Sequence, residues 1–309
     1  MGPKITYSPE QDIADLNGKV FFITGGTAGI GRLTILELAK HNASHIHFTG
    51  RNKKSADSLI AEVGQIAPNV GITFYECDQT SFLSIENVAK SFLSSNPTRL
   101  DVLICNAGIM GGAPGLSKDG YEIQFGINFL SHALLTKRFI PLLERTASEQ
   151  GEARIINVSS SAYEMQKGGL PFEDLKTTQG DLGMFGQWAR YGQSKFAQIL
   201  YTAELAKRHP TITSIAIHPS VVWTGIIEEL PFLDRLFIKA ATWGQKMPLH
   251  QGAYNECWAA TTPRKESIQS GSLYYPVGVK TELTKPAADE KLWAELWDWT
   301  EKQLEGSHA

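Results

Sequence analysis

The sequence predicts an α/β fold, a doubly wound parallel sheet of about seven strands with helices on both faces, and three observations carry that expectation. Short β-branched and aromatic runs alternate with longer amphipathic patterns, no internal repeat or low-complexity tract interrupts them, and a glycine-rich turn follows the first run. The strands in order are VFFIT (20–24), HIHFT (45–49), ITFYE (72–76), VLIC (102–105), RIINV (154–158), TSIAIH (213–218) and LYY (273–275). Between them lie helical stretches such as RLTILELAK and FLSIENVAKSFLSS. Strands that alternate with helices in this way pair in parallel, because each crossover returns the chain to the same end of the sheet.

A chain of 309 residues, 42% hydrophobic and 20% charged, can bury a large core without disulfides or metals. No Pro/Gly/Ser-rich linker or charge run divides it, so 1–309 reads as one domain carrying its own substrate site, with 1–18 as an N-terminal extension. A formal charge of -3 gives no field to gather nucleic acid or an anionic membrane, which leaves a small molecule as the expected partner. Three cysteines without C-x-x-C spacing point to neither a disulfide framework nor a thiolate metal site. His45 and His47 alternate on a strand without further ligands. The N-terminus lacks the apolar stretch of a signal peptide, and no apolar run is long enough to span a bilayer, so the chain reads as cytoplasmic with no integral membrane segment.

Ligands of doubly wound sheets bind at the carboxyl ends of the strands, and the loops there carry the chemistry. After the first strand comes TGGTAGIG, Thr24 to Gly31, whose glycines permit a tight turn and close approach of a pyrophosphate to a helix N-terminus. By itself such a turn is an ordinary βα connection as readily as a nucleotide site. Arg51 lies 20 residues beyond Gly31, where an NAD-binding chain would carry a carboxylate for the ribose hydroxyl. Arg51, Lys53 and Lys54 instead precede or open a helix expected to be capped by Ser55, an end where cations are disfavoured unless an anion offsets them. A 2′-phosphate would do so, and the expected cofactor is NADP(H).

With these features the chain resembles the short-chain dehydrogenase/reductase family, from about Lys19 to the C-terminus, and the resemblance implies a Rossmann-like oxidoreductase. Gly25, Thr27, Gly29, Ile30 and Gly31 match the family's glycine motif, Asp78 with Gln79 its adenine-side acid, and Asn106-Ala107-Gly108 its N-N-A-G, with Cys105 replacing the first asparagine. HPSVVWT, His218 to Thr224, resembles the segment over the nicotinamide, which assigns Pro219, Val222 and Thr224 to the cofactor and places Ser220 where the family has glycine. Asn128, Ser160, Tyr191 and Lys195 match the family's catalytic set. Under the resemblance Ser160, chosen from Ser159, Ser160 and Ser161, would bond the substrate oxygen. Tyr191 would transfer the proton, Lys195 would hold the nicotinamide ribose, and Asn128 would help hold a proton-relay water.

Tyr191 and Lys195 are four apart and so share a helix face. An ammonium about 4 Å from a phenol at an effective dielectric near 20 contributes about 4 kcal/mol, enough to lower the phenol pKa by about three units. The pair alone is a common surface pattern; its place among the other motifs gives it meaning. Thirty residues separate Ser160 from Tyr191, more than in compact members, and 162–190 and 225–250 are expected to form substrate-side loops with Leu230 to Ala240 as a lid. This looks most similar to the retinol-dehydrogenase-like branch and its fungal relatives, which implies a small lipophilic substrate. Met110, Met184, Phe185, Trp188, Trp223 and Trp243 are pocket candidates, although packing is the commoner role for any one of them. Trp293, Trp297 and Trp299 are expected to pack a helix. A homodimer through the helices of Asn128 and Tyr191 is open, as are C=C reduction, isomerisation and a non-catalytic NADP(H) sensor.

Overall fold

The computed structural model describes residues 7–219, 221–222, 235, 246–263 and 268–305. After a short helical turn, α1 (Pro9–Asp12), the chain runs β1 (Val20–Ile23), α2 (Gly29–Lys40), β2 (His45–Gly50), α3 (Lys53–Ile66), β3 (Gly71–Glu76) and α4 (Phe82–Ser94). It continues through β4 (Val102–Cys105), α5 (Ile123–Phe125), a π-helical turn at Gly126–Leu130, α6 (Ser131–Gln150), β5 (Arg154–Val158), α7 (Gly186–Arg208) and β6 (Thr213–Ile217). The described remainder holds β7 (Val221–Val222), β8 (Lys246–Met247), α8 (Tyr254–Thr261), β9 (Leu273–Tyr275), β10 (Val279–Thr281) and α9 (Glu290–Leu304).

Eight strands form the main sheet, in the order β10-β9-β6-β5-β4-β1-β2-β3, all parallel except β10. Each of the seven expected strands is present, and the eighth is the antiparallel edge strand β10, paired Val279↔Tyr275 through Thr281↔Leu273. Its side chains are mostly exposed, so the run VKT carries no hydrophobic pattern to reveal it. A separate two-stranded pair joins β7 to β8.

Alternation along β1 shows how two cores arise. Phe22 points to one face and packs with Phe92 of α4, Phe139 of α6 and Phe196 of α7, whereas Phe21 and Ile23 point to the other with Ile35 of α2, Leu59 of α3 and Cys257 of α8. Both faces are therefore covered, as an all-apolar parallel strand requires. Each of these fully buried phenylalanines contributes about 1.5–3 kcal/mol. Cys105 closes β4 inside the first core, and Trp297 of α9 stacks on Tyr201 at 5.1 Å there.

One cap differs from expectation. The side chain of Asn52, not Ser55, accepts the bond that starts α3, from the Ser55 N–H at 3.0 Å. Asn52 has the extended backbone an N-cap needs, while Ser55 already sits inside the first turn. Strand order reverses between β1 and β4, and a crevice opens there beyond their carboxyl ends.

Candidate active site

The crevice is a cleft of about 330 Å³. Its floor is the glycine loop after β1. Gly25 and Gly29 have φ of 70° and 58°, and a Cβ on Gly31 would stand 2.5 Å from Asn106 Nδ2 and 2.7 Å from the Gly25 carbonyl. Close contact among three backbone segments thus demands glycine. Asn106 Nδ2 donates to the Thr24 carbonyl at 2.8 Å, and the Ala107 N–H donates to Thr24 Oγ1 at 3.0 Å, so the loop after β4 is sewn to the loop after β1. Ala28 gives α2 no side-chain cap, and Ala28, Gly29 and Ile30 all line the cleft, leaving the first-turn N–H groups for a ligand. Thr27, Asn106, Ala107 and Gly108 line it too.

At one end stand Gly50, Arg51 and Asp78. Arg51 is exposed and makes no ion pair among the described residues, whereas Lys53 is occupied by Asp57 at 2.9 Å. Asp78 is held by Lys118 at 2.9 Å and by the Thr80 N–H and hydroxyl, which together keep its carboxyl below the usual range against the opposing effect of burial. Lys118, from the loop after β4, was not legible as a site residue because nothing in SKDG marks it. Gln79 turns inward, its Nε2 donating to Ser131 Oγ at 2.9 Å and to His132 Nε2 at 3.0 Å.

Tyr191 and Lys195 of α7 line the other end, with Ser159, Met110 and Pro219. Ser159 Oγ donates to the Lys195 carbonyl at 2.8 Å and is turned away, and Ser161 is exposed. Ser160 is the serine whose hydroxyl acts on the Tyr191 phenol and lowers its pKa, while its Oγ accepts from the Ala162 N–H at 3.2 Å and it is not among the residues that line the cleft. Lys195 Nζ lies 5.6 Å from the Tyr191 ring centroid, over the ring. The electrostatics correct the sequence argument. Burial pushes the Tyr191 phenol up to about 12, outweighing the lowering by Ser160, and burial pulls Lys195 down to about 7. Desolvation penalises the charged form of both groups, a cost that a spacing argument does not contain.

Asn128 is fully buried in the π-helical turn and does not line the cleft. Its Nδ2 donates to the Ile109 carbonyl and to Ser194 Oγ, both at 2.9 Å, and its Oδ1 accepts from the Ile109 N–H at 2.8 Å. The side chain therefore pins the loop after β4 to α7. Val222 lies in β7, and Thr224, Ser220, Trp223, Trp243 and most of Leu230 to Ala240 lie outside the described residues.

Of the apolar candidates, Met110 lines the cleft and Trp188 is buried in packing, while Met184 and Phe185 are exposed, Met184 at 86%. Two charged residues missed in the sequence shape this side. Arg190 makes a 3.3 Å ion contact with Glu122, both buried, and its guanidinium donates to the Gln179 carbonyl at 3.2 Å and the Gly112 carbonyl at 3.1 Å. It fastens the 162–190 segment and the loop after β4 to the start of α7, one residue from Tyr191. Among the described residues no group of His, Cys, Asp and Glu could hold a metal, and no helix is long and apolar enough to cross a membrane.

A family profile described as short chain dehydrogenase matches residues 19–171. An uncharacterized oxidoreductase of Schizosaccharomyces pombe is 36% identical over 98% of this chain and 89% of its own length. The chain belongs to the short-chain dehydrogenase/reductase family. Human retinol dehydrogenase 14, 33% identical over 93% of this chain and 86% of its own, puts this short-chain dehydrogenase/reductase in the retinol-dehydrogenase-like branch. Two solved structures share the fold at 22% identity: a 3-ketoacyl-(acyl-carrier-protein) reductase of Brucella melitensis complexed with NADH (TM-score 0.64, 85% of this chain and 98% of that one) and the Pseudomonas aeruginosa RhlG/NADP complex (TM-score 0.65, 88% and 98%).

Proposed function

We propose that this short-chain dehydrogenase/reductase uses NADP(H) to interconvert a lipophilic ketone or aldehyde and its alcohol, with Tyr191 as the proton donor or base. One observation carries the reading: a single cleft joins the uncapped N-terminus of α2 and Arg51, without an ion pair among the described residues, to the Tyr191 and Lys195 side chains. The glycine loop, where a Cβ at Gly25 would collide with Ala107 and one at Gly31 with Asn106, holds its backbone at that N-terminus and fits a pyrophosphate there. Arg51 fits a 2′-phosphate, with no carboxylate at the end of β2 to favour a free ribose hydroxyl. Gln79, Asp78, Asn106, Ala107 and Gly108 would hold the dinucleotide along the cleft, with Pro219, Val222 and Thr224 over the nicotinamide. A bound nicotinamide dinucleotide supplies the hydride; the chain supplies position and the proton.

The phenol of Tyr191, at about 12, is protonated at neutral pH and so is set to donate a proton to a carbonyl oxygen. Ser160, whose hydroxyl lowers the pKa of that phenol, would donate to the same oxygen and fix it. Lys195 presents its amine beside the phenol, and its ammonium form stabilises negative charge that develops there. The partial apolar lining at Met110 and the kinship with a retinol dehydrogenase support a lipophilic substrate.

The test is consumption of NADPH and of NADH by the purified protein over lipophilic ketones, aldehydes and enones, with product identification. Alcohol formation with NADPH preferred supports the proposal. Reduction of only the C=C bond of enones, a preference for NADH, or tight NADPH binding with no turnover would each overturn it.

A further inference from the structure

Lys195 is only 4% exposed, and its Nζ donates to the Val158 carbonyl at 2.8 Å and to Gln198 Oε1 at 3.1 Å. Gln198, 1% exposed and one turn further along α7, uses its other amide atom: Nε2 donates to the backbone carbonyl of Asn128 at 2.8 Å. That carbonyl also accepts from His132 Nδ1 at 2.9 Å. A carbonyl oxygen only accepts, and an ammonium only donates, so the Gln198 amide has a single orientation that satisfies both neighbours. His132 is fixed by the same logic, since its Nε2 accepts from Gln79 and bonds Thr24 Oγ1 at 2.8 Å. One buried chain of bonds therefore runs from the lysine through Gln198, Asn128 and His132 to the glycine loop.

We propose that Gln198 is a positioning residue for Lys195: its amide bridges the lysine amine to the Asn128 carbonyl and so aims the remaining N–H of the ammonium into the cleft. An ammonium has three donors, and the protein takes two of them. The π-helical turn, in which the Ser131 N–H reaches back to the Gly126 carbonyl, sets the backbone of Asn128 against Gln198 and His132. The groups within electrostatic reach of Lys195 are Tyr191 on its own helix, His132 of α6 and His218 after β6, and no carboxylate among the described residues offsets its charge. Burial alone pulls its pKa to about 7, so the Gln198 acceptor is the nearest side-chain support for the charged form. The catalytic meaning of this device rests on the function proposed above; the bridge itself does not.

The test reads the lysine directly. The full-length protein is labelled at the lysine side-chain carbon next to Nζ, the Lys195 resonance is assigned by its loss in Lys195→Met, and its titration is followed in Gln198→Leu and Gln198→Glu. Leucine removes the acceptor and is expected to lower the Lys195 pKa by about one unit or more, the value of a charge-assisted hydrogen bond. Glutamate adds a carboxylate partner and is expected to raise it by a similar amount. Opposite shifts support the bridge, and the glutamate arm decides alone if the leucine variant does not fold. Unchanged titration, or shifts of the same sign in both variants, overturns it. Because the measurement needs no turnover, failure of the proposed reaction leaves its result readable.

Discussion

Replacing Arg190 by methionine isolates what the buried charge pair does. Glu122 is completely buried, and burial already raises its carboxyl pKa against the lowering by Arg190 and by the Phe125 and Gln124 N–H groups. Removing the guanidinium leaves an uncompensated buried carboxylate, a loss of about 3–5 kcal/mol in comparable pairs. Part of that loss, about 1–3 kcal/mol, comes from the Gln179 and Gly112 carbonyls left without their donor and does not depend on pH. The rest does, and its sign is fixed. In the variant the folded pKa of Glu122 lies further above its unfolded value. Folding is therefore least penalised below the unfolded pKa, and stability relative to the wild type falls as pH rises toward the raised folded pKa. Urea unfolding of both proteins at about pH 5 and about pH 8 measures the difference, which should be larger at the higher pH. Glu122→Gln added to Arg190→Met should remove that pH dependence. An equal loss at both pH values, or no benefit from the second change, would refute the reasoning.

Other consequences follow from the same physics. Glu256 is buried with one oxygen bonded to Thr34 at 2.8 Å and the other without a partner, and burial raises it to about 7. Its folded pKa exceeds its unfolded value, so its contribution is intact below the unfolded pKa and lost as pH rises through about 7. Glu256→Gln should then stabilise the protein at alkaline pH by up to about 3 kcal/mol, with the gain vanishing near pH 5, as read from urea midpoints. Arg51→Ala should weaken NADPH binding about tenfold and leave NADH binding unchanged in a fluorescence titration, because it removes a cation from the exposed end of the cleft and nothing else.

The strands were legible because each is an apolar run bounded by turn residues, and the order of the loops followed from their alternation with helices. Edge strand β10 was hidden by its exposure, and the Asn52 cap by the nearer look of Ser55. For the site, the turn glycines Gly25 and Gly31 and the Tyr191–Lys195 pair could be read from spacing, since backbone close approach and helix periodicity leave marks in a sequence, whereas Asn106 and Ser160 came only with the family resemblance. Burial leaves none. Tyr191 and Lys195 do meet, at 5.6 Å from amine to ring centroid, yet the phenol is raised where the spacing argument lowered it, because desolvation depends on what packs around it. Arg190 and Glu122, distant in sequence, meet only through the path of the loop after β4. Gln198 gave one faint signal, a polar residue inside the apolar run FAQIL, and its meaning needed the carbonyl of Asn128 beside it.

The most direct test of the account is the turnover number of Tyr191→Phe against wild type on a ketone or aldehyde that the wild type reduces, at saturating NADPH, with NADPH affinity measured alongside. Loss of the phenolic proton donor should lower turnover by about a hundredfold to ten-thousandfold while NADPH binds as before. Turnover within a few-fold of wild type would contradict the assignment of Tyr191 and, with it, the reading of this cleft as a carbonyl-reducing site.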